Sequence, residues 1–341
     1  LSVLAIGYWL AAIGLAATPA ELAQQALDDW QGGKYKIDPL KAQPRTIEDA
    51  LRLVIRQQDF SPPIPGIKIN RESPQSETRG NASIVKFPAV VGQEGGQMRV
   101  TLRGEEVTRI AFVPDRGLLP DWIKSPLAWG MFTLLSLAAL WGLRTAGNPL
   151  GRLWRSGWGL VRQYGRMYLI LNVLMYGLFA LGMLGAYTYT KEARLLQELV
   201  GGTLEQIGAD SAGTRGPFGL ALFIFYWNTT MGLFLTTALP GLLLGIPALL
   251  LNSVRYYVFG FALSPALLPT AAFLWHIPTL VIELQAYILG TFGGLILLSK
   301  VLRGEGFRAG LRALALCVFL GIFFLLLGAW YESFEVLYWA R

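Results

Sequence analysis

The sequence predicts an all-α polytopic membrane protein of about seven transmembrane helices, with a small α+β domain between the first two. Three observations carry that prediction. Hydrophobic residues make up 53% of the 341 positions and charged residues only 15%, with a mean hydropathy of +0.45. A soluble domain carries about 25% charge, so lipid is the solvent for much of this chain. The apolar residues fall into runs of spanning length, and the net charge of +7 is concentrated in two short loops between them. Residues 18–124 hold 15 basic and 14 acidic groups, so the surplus lies elsewhere. That distribution is the positive-inside pattern and argues against nucleic-acid binding.

Residues 1–17 (LSVLAIGYWLAAIGLAA) are uncharged and at the lower length limit for a spanning helix. They read as a first span or uncleaved signal anchor; a cleaved signal peptide, with Ala17 and Ala20 near its site, is the competing reading. Residues 18–124 form the polar region. Within 46–60, Ile47, Leu51, Val54 and Ile55 share a helical face behind a Thr46 cap. Alternating stretches at 67–70, 83–91, 98–103 and 107–113 read as strands, with Gly104-Glu105-Glu106 as a hairpin link. This segment has no His or Cys and its acids are scattered, which fits a partner-docking module.

From 125 to 341 the chain forms a helical membrane domain. The second span is 126–143, with Trp122, Trp129 and Trp141 as interfacial anchors. The next loop carries Arg144, Arg152, Arg155, Arg162 and Arg166 with no acid, so it faces the cytoplasm; its apolar residues are spaced for an amphipathic helix on the inner membrane surface. Residues 167–189 are the third span. Residues 190–216 carry three basic and four acidic groups and suit the outer face. The apolar stretch 217–263 divides at Thr237–Pro240 into two spans, and 271–299 follows. Lys300, Arg303, Arg308 and Arg312 return the chain to the cytoplasm. A last span, 313–331, ends with Glu332 and Glu335 on the outer side. The N-terminus is then inside the cytoplasmic membrane of a bacterium, and 18–124 and the C-terminus outside.

Within these spans Asn228, Asn252, Arg255, His276 and Glu283 form an intramembrane polar set. A charge at the bilayer centre costs about 2.5–3.5 kcal/mol on insertion scales, so Glu283 must be paired, neutral or functional. An Arg255–Glu283 ion pair would account for both charges. The competing arrangement has Arg255 reaching the headgroups and Glu283 protonated. Pro278 kinks the same helix, and Ala286, Gly290, Gly293 and Gly294 open it to close packing. A single His, no HExxH and no GxSxG speak against a hydrolase; Ser253 and His276 are the only pair left for a dyad. Cys317 is alone, so neither a disulfide nor a Cys-based metal site forms within one chain, and no cofactor motif is present.

From about 217 to 299 the order of features resembles the stage II sporulation protein M family of bacterial membrane proteins. The family's aromatic helix ending in Asn-Asn reads FIFYWNT here, with Asn228 then Thr229. Its Gly/Pro-rich helix ending in Asn-Gly reads PGLLLGIPALLLNS, with Asn252 then Ser253. Its Pro-His-Gly-x-x-Glu-Leu reads Pro278-Thr279-Leu280-Val281-Ile282-Glu283-Leu284, followed by Ala286 and the glycines. Thr279 and Leu280 replace the family's His-Gly, which removes an imidazole from beside Glu283 and leaves His276 as its substitute. The resemblance implies a non-enzymatic scaffold that assembles a cell-envelope complex, docking other envelope or membrane proteins through its outer domain and loops. The alternative is a transport component (a channel, permease or lipid-handling subunit) with its path around Glu283. Membrane lipids are partners under either reading, and a homo-oligomer is open.

Overall fold

The computed structural model describes residues 18–36, 44–79, 82–115, 120–145, 147–206 and 216–339. The expected first span, 1–17, lies outside them. The chain divides into two compact units, residues 1–119 with 198–207, and residues 120–197 with 208–341.

The first unit is an antiparallel sheet backed by a helix. Helix α1 (Pro19–Gln31) starts at a capping box: Thr18 accepts from the Glu21 amide while the Glu21 carboxylate reaches back, and Pro19 takes the first helical position. Helix α2 (Ile47–Asp59) repeats the device with Thr46 and Asp49. The strands are β1 (Lys68–Ile69), β2 (Gln75–Arg79), β3 (Ala82–Val91), β4 (Glu94–Arg103) and β5 (Glu106–Pro114), ordered β1-β3-β4-β5 with β2 also on β3. Two-residue turns join β3 to β4 and β4 to β5, each with a glycine at positive φ, Gly92 and Gly104. Alternation puts Val85, Phe87, Met98, Val100, Leu102 and Ile110 on one sheet face, where they bury Leu27 and Trp30 of α1. The Trp30 indole donates to the Ser61 carbonyl at 2.6 Å, so its polar edge is satisfied inside the core.

The second unit holds five helices long and apolar enough to cross a membrane. They are α3 (Pro126–Arg144), α5 (Gly165–Thr188), the composite 216–241, α9 (Thr270–Leu302) and the composite 307–338. Between them in the chain lie α4 (Pro149–Gln163), α8 (Ile246–Ala262) and α6 (Thr190–Gln206), whose residues from 198 on group with the first unit. At 17 residues α8 is the shortest helix at a position where the sequence predicts a span, and with 1–17 outside the described residues five of the seven expected spans have helices of spanning length. The basic loop forms the amphipathic α4, whose Gly157 packs against Leu320. The outer loop expected at 190–216 is helical over α6.

The composite 216–241 begins as α7 (Gly216–Trp227), widens into a π segment (Asn228–Ala238) and ends in one turn, Leu239–Gly241. The chain therefore does not break at Thr237–Pro240. It reverses at Leu242–Gly245, where Leu244 (φ 59°) and Gly245 (φ 73°) take left-handed conformations. A Cβ on Gly245 would meet the Gly294 backbone at 2.4 Å, so the turn seats directly on α9. Helix α10 (Phe307–Phe334) continues as a short π segment, Glu335–Trp339. Helices α9 and α10 pack through Gly293 against Leu314 and Cys317, and through Gly310 against Leu297.

Candidate functional site: a buried polar ladder

Two groups of polar side chains lie along one side of α9, one above the other. In the first, the Asn228 amide donates to Glu283 Oε1 at 2.7 Å. Glu332 is a neighbour of the same glutamate. Two turns earlier in α9, His276 Nδ1 is 2.8 Å from Glu335 Oε1, and one turn earlier the Thr279 hydroxyl donates to Glu335 Oε2 at 2.6 Å. Glu335 is only 2% exposed. Gly328 makes room for this group, because a Cβ there would come within 2.9 Å of Glu283 Cγ.

The second group surrounds Arg255. Its guanidinium donates to Asn252 Oδ1 at 2.9 Å, to the Thr236 hydroxyl, and at 3.4 Å to both the Gly232 carbonyl and the Thr237 hydroxyl. It also lies 4.6 Å from the centre of the Tyr287 ring. Asn252, 1% exposed, donates to Thr237 at 3.2 Å, Thr291 at 3.0 Å and the Ala248 carbonyl at 3.0 Å. It thereby ties the π segment, α8 and α9 together.

Local sequence explains why these groups meet. The wide turns of the π segment leave carbonyls short of donors. The Thr236 hydroxyl takes the Met231 and Gly232 carbonyls at 2.9 and 2.8 Å, Thr237 takes Gly232 at 2.9 Å, and Arg255 reaches the same carbonyl. Pro278 removes a donor from α9. One turn before it, the Trp275 carbonyl receives the Tyr331 hydroxyl at 3.1 Å. Tyr287, one turn after Glu283, stands between the two groups, and a Cβ on Gly232 would meet its hydroxyl at 2.5 Å. From His276 to Thr291 the ladder covers 15 residues of α9, about 22 Å at 1.5 Å per residue.

Among the described residues no ion pair joins Arg255 to Glu283: the arginine is held by neutral oxygens, the glutamate by the Asn228 amide. At the end of the last span Glu335 turns inward onto α9, where His276 and Thr279 hold it. Asn252 and Arg255, three residues apart, bond directly, while Ser253 bonds the Leu249 carbonyl and forms no dyad with His276. Of the packing residues, Gly290 abuts Thr237, Gly294 abuts Gly241 and Gly245, and Ala286 is fully buried. Lys300 pairs with Glu305 at 2.5 Å and Arg303 lies over the Tyr164 ring. Thr236, Thr237, Thr279, Tyr287, Thr291, Glu332 and Glu335 join the site unanticipated. Among the described residues no group of three or more His, Cys, Asp or Glu has metal-holding geometry.

Residues 167–335 match the family model described as Stage II sporulation protein M, SpoIIM. The segment contains every residue of the ladder, from Asn228 to Glu335, and leaves out residues 18–124. No match was found among curated proteins or solved structures.

Proposed function

We propose that this SpoIIM-family membrane protein is a transport component of the bacterial cytoplasmic membrane, in which the polar ladder carries protons linked to substrate movement. It catalyses no covalent chemistry in this reading, and residues 18–124 lie on the outer side. One observation carries the proposal: Glu283 faces Glu332 and Asn228 while Arg255 is held apart from it by neutral groups. A ladder built only to fasten helices would gain most by pairing the two opposite charges. Leaving them apart, with two carboxyl side chains as neighbours, suits a site that binds and releases protons. The interrupted helix alongside it fits the discontinuous helices of transporters.

The test is flux into liposomes containing the purified protein and a pH-sensitive dye. Glu283→Gln keeps the shape and the hydrogen bond from Asn228 but removes the titratable group, so an imposed proton gradient should no longer drive flux. If wild type and Glu283→Gln are equally silent, the transport reading fails.

A second reading, a scaffold docking other envelope or membrane proteins, is favoured by the folded first unit with its own core. Stoichiometric co-purification of envelope proteins, lost on deleting residues 18–124 and kept in Glu283→Gln, is the result that would select it.

A further inference from the structure

An apolar groove of about 750 Å³ runs between α10 and the composite 216–241, with none of the ladder's carboxyls in its lining. Phe234, Leu235 and Leu239 form one wall and Leu311, Ala315 and Phe319 the other. Thr230 lines it too, but its hydroxyl is committed to the Tyr226 carbonyl at 2.6 Å. Nothing polar in the lining is therefore free to bind a polar ligand.

The groove has a direction. On α10 it extends from Leu311 to Ile322, which is 11 residues or about 16 Å. Half of a hydrocarbon core of about 30 Å is nearly the same length. Beyond the Leu311 end, Arg308 and Arg312 lie on the same helical stripe as Ala315, Phe319 and Ile322, at spacings of three and four. Both arginines are exposed, and among the described residues neither has an ion-pair partner. Two cations at the mouth of an apolar slot one leaflet deep complement one kind of molecule.

We propose that this groove is a binding site for one anionic glycerophospholipid, its phosphate between Arg308 and Arg312 and an acyl chain along α10. The inference is independent of the transport reading, because it uses none of the ladder residues.

Native mass spectrometry of the delipidated full chain, titrated with phosphatidylglycerol or phosphatidylcholine, tests it. One phosphatidylglycerol per chain should be retained about ten times more tightly than phosphatidylcholine. The double variant Arg308→Gln/Arg312→Gln should lower phosphatidylglycerol to the phosphatidylcholine level, while Arg144→Gln/Arg152→Gln leaves it unchanged. Ala315→Trp fills the groove from an exposed position and should abolish retention; Leu239→Trp does the same from the opposite wall. Equal retention of the two lipids overturns the proposal. So does retention unaffected by either tryptophan, or a dimer of chains that these tryptophans dissolve without changing lipid binding.

Discussion

The Asn228 amide donates to Glu283 across 2.7 Å, linking the first residue of the π segment to the middle of α9. The two are 55 residues apart in sequence, and the bond leaves Arg255 to neutral oxygens on the neighbouring turn. Breaking it separates structure from function. Asn228→Leu leaves the carboxyl without its donor in a water-poor interior, which costs about 1–3 kcal/mol. It should lower the melting temperature in detergent. Glu283→Gln retains an oxygen acceptor for Asn228 and should melt within a degree or two of wild type, while losing gradient-driven flux.

Asn252 is the next joint. It bonds four neighbours from a position 1% exposed, so Asn252→Leu takes a donor from Thr237 and Thr291 and an acceptor from Arg255. Interhelical hydrogen bonds in membranes average about 0.6 kcal/mol each, with unsatisfied groups adding more. A loss of about 1–3 kcal/mol in reversible unfolding is expected. Arg255→Lys should also be poorly tolerated, because an ammonium cannot reach Asn252, Thr236 and the Tyr287 face as a planar fork does.

Sequence periodicity made the helices legible and only part of the site. Apolar runs locate α3, α5, α9 and α10 to within a few residues, because length and hydropathy alone decide them. Asn228, Asn252 and Glu283 stood out by their family-like frame and by being polar inside such runs. Glu332 and Glu335 did not: at the end of an apolar run an acid looks the same whether it enters water or turns back onto a partner 50 residues away. The Arg255–Glu283 pair was the simplest electrostatic solution, but the π segment supplies enough free oxygens to hold the arginine without it. Strand β2 (QSETR) has no alternating apolar residues and is specified by its pairing with β3, which no local pattern reveals. Pro240 marked the wrong break because it opens a last helical turn, and the reversal waits for Leu244 and Gly245.

In the first unit, stability should fall in acid with a defined sign. Glu21 is held below the usual carboxylate range, first by the Thr18 backbone N–H and then by its hydroxyl. Asp49 is lowered likewise, first by the Thr46 hydroxyl. A carboxylate lowered in the folded state stabilises it above the ordinary range, and that support is lost as pH falls through the lowered value. Helical circular dichroism should therefore fray in the acid limb, and Thr18→Ala/Thr46→Ala should flatten that limb while lowering stability at neutral pH. An unchanged acid limb in the double variant would remove the caps as its cause.

The last prediction concerns how α5 and α8 are held together. A Cβ on Gly182 would lie 2.1 Å from the Tyr257 carbonyl oxygen, and one on Gly260 would lie 2.0 Å from that of Phe179. Both obstacles are backbone, so no rotamer change relieves them, and adding a side chain forces the helices apart. Overpacking of this kind costs about 1–3 kcal/mol where it can be absorbed. Here it should exceed that, because the helices must separate along their whole contact. Tyr256 on α8 donates its hydroxyl to the Leu284 carbonyl of α9, so displacing α8 also loosens the helix that carries Glu283. Gly182→Val and Gly260→Val should each lower the melting temperature sharply and reduce flux together with it. Gly177→Ala is the control: nothing lies within 4 Å of its Cβ position, and it should be neutral. If Gly260→Val melts like wild type, α5 and α8 are not in this close contact, and the placement of Arg255 beside the π segment loses its support.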